Sequence, residues 1–384
     1  MKFWGITGTN GKTTTTWIAA EFINADPARK CGYVTTVEVN TGTRRFYTGY
    51  TTPPLAQLKE IFAEMERNGC TDCVMEVSSH AIHQHRTGDT VFSGGVFTNL
   101  SEDHLDYHKT MEAYFDVKLD FARQIAAAHS TTPDMGRRDL PPYVVCLDGG
   151  YGREMFNAVG NLAVNVIGVS IDCNRRQSTA FDLSGLQLVG EYNKSNVLCA
   201  AALAEAAGVD HDAIQAVIPT LKPRWGRLEE VKSEEGREKS RVFVDFAHTP
   251  DGLEKVLAAA RGFTPEGKRL WVVFGAGGDR DPMKRPLMGE ACAKLADCLV
   301  VTSDNPRSEE PMAIIEAILG GIDGNRRQST VVEPDRKKAI EYALREAGEG
   351  DVVIIAGKGH ETTQEIKGVK HPFDDREVVR NFAG

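Results

Sequence analysis

Apolar residues in this chain fall into short runs separated by longer stretches with helical spacing, the pattern of strands alternating with helices. Phe3 to Ile6 reads as a buried strand and Thr14 to Phe22 as the helix behind it. Gly32 to Val39 is expected to be a strand, Tyr50 to Pro54 a stiff loop, Leu55 to Asn68 a helix and Cys73 to Val77 a strand. A strand from Gly95 to Thr98 and a long helix from Met111 to Ala128 follow, then a polar surface loop over His129 to Pro142. Tyr143 to Leu147 and Val164 to Val169 read as strands, Asn193 to Ala207 as an alanine-rich helix. Such alternation implies an α/β fold with a parallel sheet covered on both faces.

Pro219 to Arg227 has the prolines and polarity change of a domain linker. Beyond it the alternation restarts. Strands are expected at Val242 to Phe246, Leu270 to Phe274, Cys298 to Thr302 and Val352 to Ala356, with helices at Leu253 to Arg261, Leu287 to Leu295, Ile314 to Leu319 and Lys337 to Ala347. The expectation is therefore two α/β domains, a parallel-sheet domain over 1–222 and a Rossmann-like domain over 223–384. A near-repeat, 171–179 and 322–330, shares Asn-Arg-Arg-Gln-Ser-Thr and is expected to form solvated loops.

Between the first strand and helix stands Gly8-Thr9-Asn10-Gly11-Lys12-Thr13-Thr14. Strand, glycine loop and helix make a phosphate cradle: successive N–H groups point at phosphate oxygens and the helix N-terminus adds partial positive charge. Lys12 would reach the outer phosphates and the Thr13 hydroxyl would hold magnesium. The first glycine of the general pattern is replaced by Ile6, so the loop is a shortened variant. Residues that do chemistry in parallel sheets lie beyond the carboxyl ends of strands, as Glu76, Ser78 and His104 do.

Length and charge narrow the setting. At 384 residues two domains are the natural prior, and a net charge of −9 argues against a nucleic-acid partner. No apolar segment is long enough to span a bilayer, so the cytoplasm is the expected compartment. Eight cysteines are scattered through mostly apolar segments. Cys70 and Cys73 form a lone CxxC, read as structural rather than as zinc or redox chemistry.

Taken together the motifs resemble those of the Mur ligases of peptidoglycan synthesis, in their diaminopimelate-adding branch. The carrying stretches are TGTNGKTT at the loop, TTP at Thr51, EVSSHAIHQHR from Glu76, NLSEDHLDYH from Asn99 and DFAHTPDGL from Asp245. GAGGDRDPMKRPLM from Gly275, DNPRSEEP from Asp304 and GKGHE from Gly357 complete the set. The similarity covers essentially the whole chain.

The resemblance implies that Gly8, Thr9, Asn10, Gly11, Lys12, Thr13, Thr14, Asn193, Arg227, Asp245 and His248 bind ATP. It gives Thr13, Glu76 and His104 to magnesium, and makes Lys118 a carbamylated lysine, its carbon dioxide adduct turning a cation into an anion. Lys12, Glu76, His104 and Lys118 are then the catalytic set. Thr51, Thr52, Ser78, Gln84 and Arg86 match positions that hold a UDP-muramoyl-dipeptide. Arg285, Asp304, Asn305, Arg307, Gly357 and Glu361 match a diaminopimelate pocket, where the Arg307 fork would grip the distal carboxylate and Glu361 the distal ammonium. Without the resemblance, Lys118 reads as an exposed helix lysine, Asn193 as a helix N-cap and His104 as a hydrogen-bonded loop histidine.

The implied reaction is ATP-dependent amide formation through an acyl phosphate by a monomer acting on small molecules. Family members carry about a hundred residues, a normal domain size, before the phosphate loop, and these grip the uridine diphosphate. Here the sequence begins at the loop's own strand, so the expectation is a form that binds ATP and holds the UDP substrate poorly. Two other readings stand beside it: an ATP-binding protein that no longer ligates, and a ligase for a substrate without a nucleotide.

Overall fold

The computed structural model describes residues 1–129, 140–172, 180–233 and 239–382. The chain divides into two compact units. One comprises Met1–Ser101 and His108–Leu221; the other comprises Lys222–Gly384 with the short segment Glu102–Tyr107.

The first unit is built on an eight-stranded sheet: β1 (Lys2–Thr7), β2 (Cys31–Val34), β3 (Val39–Asn40), β4 (Arg45–Phe46), β5 (Asp72–Glu76), β6 (Phe92–Phe97), β7 (Pro142–Cys146) and β8 (Asn165–Val169). Their order is β4-β3-β2-β5-β1-β6-β7-β8. The six strands from β2 to β8 in that order run parallel, and β3 and β4 add an antiparallel edge. β1 is central because its FWGI run is apolar on both faces, and Gly5 lets the helix Met111–His129 pack close. A Cβ on Gly5 would stand 2.2 Å from the Phe121 ring. The Trp4 indole N–H, buried with it, donates to Asp72 Oδ1 at 2.9 Å.

Three expectations are corrected here. The strand expected over Gly32 to Val39 breaks after Val34, because Thr35 closes a turn: its hydroxyl donates to the Glu38 carbonyl at 2.7 Å and accepts from the Glu38 N–H. A side chain that bonds nearby backbone competes with the ladder. β6 starts at Phe92, three residues before the expected Gly95. Gly94 and Gly95 weaken the apolar signal, yet a Cβ at Gly94 would meet the Pro142 carbonyl at 2.7 Å. The expected loop over His129 to Pro142 lies mostly outside the described residues, as does most of the first near-repeat copy. The second copy is not a loop: Gly324–Ser329 is a helix capped by Asp323, which accepts from the Arg326 N–H.

The second unit holds a six-stranded sheet of β9 (Glu229–Val231), β10 (Arg241–Asp245), β11 (Leu270–Phe274), β12 (Cys298–Val301), β13 (Val331–Val332) and β14 (Val352–Ala356). Its order is β13-β12-β11-β14-β10-β9, parallel but for β9. Alternate residues feed opposite cores: Leu270, Val272 and Phe274 one, Trp271 and Val273 the other. That is why these strands read as continuous apolar runs. A hairpin, β15 (Thr363–Ile366) with β16 (Val369–Pro372), and the helix Asp375–Arg380 end the unit.

Among the described residues seven cysteines are free, six of them buried. Burial pushes the thiols of Cys31, Cys70, Cys73 and Cys292 up, so the CxxC pair carries no reactive thiolate. No described helix is long and apolar enough to cross a membrane.

Candidate active site

β1 delivers the chain into the glycine loop, and the helix Lys12–Ile23 begins directly after Gly11. Gly8 and Gly11 have φ of 150° and 85°, and a Cβ on Gly11 would lie 2.4 Å from Asn196 Oδ1. The loop is braced before any ligand arrives. Thr9 and Asn10 N–H groups donate to the Asn99 carbonyl (2.9 Å) and side-chain oxygen (3.0 Å), and Thr98 Oγ1 donates to the Asn10 carbonyl at 2.6 Å. Lys12 Nζ folds over the loop and donates to the carbonyls of Gly8 (3.0 Å) and Thr9 (2.8 Å). Thr13 is buried in the first helical turn, with Thr14 beside it.

Glu76 ends β5 in register with Ile6 of β1, which sets its carboxylate at the carboxyl edge beside the loop. It is 1% exposed and accepts from the Thr36 N–H (2.8 Å) and hydroxyl (3.1 Å). Thr13 and Glu76 are hard oxygen donors of the kind magnesium takes. Magnesium keeps several waters and phosphate oxygens when bound by one or two protein groups, so the donor set fits. No group of three or more metal-ligating His, Cys, Asp or Glu gathers among the described residues.

The five residues matched to the muramoyl substrate come together around Thr52. Its hydroxyl donates to the Glu76 carbonyl at 2.9 Å and accepts from the Ser78 N–H at 3.0 Å, and its carbonyl accepts from Arg86 Nη1 at 3.4 Å. Gln84 Oε1 accepts from Arg86 Nε at 2.8 Å, and Thr51 Oγ1 is 3.0 Å from Thr36 Oγ1. Ser78 caps the short helix Ser79–His83.

Lys118 is not an exposed helix lysine. It is 1% exposed, with Nζ 4.6 Å from the Tyr114 ring centre. Tyr114 stacks on His108, whose Nε2 lies 2.9 Å from Ser79 Oγ. Nor does Asn193 cap its helix: Glu191–Ala206 begins at Gly190. Asn193 Nδ2 donates to the Val189 carbonyl (2.7 Å), and Asn196 links it to Thr15 of the phosphate-loop helix. His104 falls in the segment Glu102–Tyr107, which groups with the second unit. It has φ 56°, with Nε2 3.5 Å from Asp103.

In the second unit Asp245 and His248 stand at the end of β10, Asp304, Asn305 and Arg307 after β12, and Gly357 and Glu361 after β14, while Arg227 precedes β9 and Arg285 lies in the helix Lys284–Leu295. Asp245, pushed up by burial, accepts from the backbone N–H groups of Leu228 (2.6 Å) and Ala247 (2.7 Å). Arg227 lies over the Phe246 ring at 4.6 Å. His248, held below its ordinary range by burial and by Lys284, packs edge-on against the same ring. Arg285 grips Glu309 with two bonds of 2.9 and 2.7 Å. Arg307, at φ 52°, donates to the Gly278 carbonyl at 2.5 Å with Nε 3.7 Å from Glu365. Asn305 donates to Glu361 Oε2 at 2.8 Å. Asp304 is buried with Oδ2 lacking a hydrogen-bond partner, 2.6 Å from where Gly357 would carry a Cβ; Gly357 has φ 116°.

Sequence reasoning missed three supports. Thr36 holds Glu76 from a turn the pattern read as strand. Lys358, 0% exposed, donates to Asn305 Oδ1 (3.1 Å) and Glu361 Oε2 (3.0 Å); its signal was present, inside GKGHE. Arg336 lies outside every motif and had none.

A braced phosphate loop beside hard oxygen donors, with a second α/β unit whose strand ends collect paired arginines and carboxylates, defines an ATP-dependent enzyme of the ligase class. Residues 6–204 match the Mur ligase middle domain and residues 226–359 the Mur ligase glutamate ligase domain. UDP-N-acetylmuramoyl-L-alanyl-D-glutamate–2,6-diaminopimelate ligases of Aquifex aeolicus and Chromobacterium violaceum are 41% and 39% identical. The matches cover 99% and 98% of this chain and 77% and 76% of theirs. A solved structure of a ligase of that name superposes with a TM-score of 0.60 at 32% identity, over 99% of this chain and 77% of that one. A Mycobacterium tuberculosis folylpolyglutamate synthase complexed with ADP and AMPPCP shares the fold at 0.62 and 19%, over 93% of this chain and 88% of its own. The chain belongs to the Mur ligase family, whose members are ADP-forming ligases using ATP and magnesium.

Proposed function

We propose that this enzyme joins meso-2,6-diaminopimelate to UDP-N-acetylmuramoyl-L-alanyl-D-glutamate in peptidoglycan precursor synthesis, as a cytoplasmic monomer. Residues 1–222 handle ATP and the muramoyl substrate, residues 223–384 the amino acid. The observation that carries the reading is the clustering of Arg285, Asp304, Asn305, Arg307, Gly357 and Glu361 at one edge of the second sheet. Carboxylates and guanidinium forks there suit a ligand with both ammonium and carboxylate at its far end.

In this reading Lys12 leaves the loop carbonyls to meet the outer phosphates of ATP, and the loop N–H groups take the rest. Thr13 and Glu76 would hold magnesium, with His104 at a second ion, and the bound metal would neutralise phosphate charge. Thr51, Thr52, Ser78, Gln84 and Arg86 hold the UDP-muramoyl dipeptide, whose glutamyl carboxylate attacks the γ-phosphate. After phosphoryl transfer the amine displaces phosphate from the carbonyl, and positioning supplies most of the rate. Lys118, buried against Tyr114, carries the carbamate.

The test is phosphate release and product mass with purified protein, ATP, magnesium, the UDP-muramoyl dipeptide and meso-diaminopimelate, with lysine in parallel. Tripeptide formed from diaminopimelate alone is the expected result. ATP binding without product under saturating substrates would overturn it.

A further inference from the structure

The pocket of the second unit rests on two loops that follow strands not adjacent in the sheet; the first bridges to β15 at Arg307, whose N–H donates to the Glu365 carbonyl at 3.0 Å. Ser303 precedes Asp304 at the end of β12, and Ala356 precedes Gly357 at the end of β14. β11 lies between these two strands. Adjacent loops of a parallel sheet keep their spacing through the ladder beneath them; loops two strands apart need a side chain to span the gap.

Asn305 and Lys358 span it between side chains within the pocket, and the side chain that spans it at the loop backbones is Arg336. It stands at the start of the helix Arg336–Glu346 and is 0% exposed at the side chain. One Nη2 donates to the Ala356 carbonyl at 2.9 Å and Nη1 to the Ser303 carbonyl at 3.4 Å. Nε and Nη2 also form a fork with Asp375, each bond 2.8 Å, and Asp375 is equally buried. Asp375 opens the helix Asp375–Arg380, so one guanidinium joins two loops and two helices. Nothing about stability requires an ion pair here: a buried pair replaced by apolar residues of similar volume is often neutral or stabilising, whereas removing one partner alone is costly. What an apolar pair cannot do is hold two carbonyls at a fixed separation.

We propose that Arg336, oriented by Asp375, is a positioning residue for the amino-acid substrate, setting the distance between the Asp304–Arg307 and Gly357–Glu361 loops. This rests on the reading of those loops as the diaminopimelate pocket. Lys358 then fixes side chains within the pocket, while Arg336 fixes the frame on which they stand.

The experiment compares wild type with Arg336→Lys and with the double variant Arg336→Met/Asp375→Leu. The lysine keeps the charge beside Asp375 but cannot reach both carbonyls. The apolar double variant avoids a stranded charge. Both are expected to fold with a cooperative transition like that of wild type. Hydrogen exchange at amides of 304–307 and 357–361 should quicken by about tenfold or more, with exchange in β1 and the phosphate loop unchanged. KM for diaminopimelate should rise by about tenfold while KM for ATP holds. Unchanged exchange in both loops of either folded variant overturns the positioning role, whatever the wild-type activity. Loosened loops without diaminopimelate-dependent turnover in the wild type would keep the frame and sink the substrate assignment instead.

Discussion

At the scale of single residues, Lys118 is where the fold most changes the meaning of the sequence. A lysine on a helix face is ordinarily solvated, and taking an ammonium out of water is costly. Here it is buried against Tyr114, within a cluster that includes His108 and Ser79. The carbamate proposed for Lys118 would replace that cation with an anion. Protein equilibrated with 13C-labelled bicarbonate should therefore show one carbamate carbon resonance that is absent from Lys118→Arg. A spectrum without it would leave Lys118 a structural lysine. The burial was not legible because a charged residue type reads as solvated, although Lys118 stands one turn from Tyr114 on the buried stripe. The phosphate loop, in contrast, was readable from its setting between strand and helix with Lys12 and Thr13 behind Gly8 and Gly11, whose φ values of 150° and 85° exclude most side chains.

The relevant elements are the loops at strand ends. That after β14 carries His360, whose imidazole is pushed down to about 3 by burial first and then by the charges of Arg227 and Arg376. Its ring lies 4.9 Å from that of Phe246, which Arg227 also covers. A histidine with a depressed folded pKa is neutral in the native state, while the unfolded chain takes up its proton near pH 6.5. Its contribution is complete above that value and is lost as pH falls from about 6.5 towards 3. His360→Gln should flatten the fall of the urea midpoint across this window relative to wild type; parallel curves would mean that other groups set acid sensitivity. Strand-loop-helix alternation made this loop visible in the sequence, and its glycines marked its turn. The edge strand β9, the hairpin β15–β16 and the capped helix Gly324–Ser329 were not visible. Each is short, and its shape comes from a turn or a cap rather than from an apolar period.

For the whole molecule, the two units have separate sheets and separate apolar cores. On the proposed reading the first unit's loop takes the ATP phosphates, so most of the ligand linkage should act there: about 2.7 kcal/mol at a hundredfold excess over Kd. Calorimetry should resolve more than one transition, with ATP and magnesium raising one and leaving another in place. A single transition that shifts as a whole would show that the units unfold as one. The two-domain organisation was legible from the restart of alternation after the linker. The long-range frame was not: Arg336 and Asp375 are far apart in sequence, and nothing local to either marks the other as its partner.

The buried thiols have a practical consequence. Six cysteines spread through both sheets and their helices are sealed from solvent and none is bridged, so an alkylating reagent reaches them only when the surrounding structure opens. Cys31, Cys70, Cys73, Cys146 and Cys199 report on the first unit and Cys292 on the second. Peptide-resolved alkylation rates would thus time the opening of each unit without any introduced label, and ligands that tighten one unit would register as protection of its own cysteines.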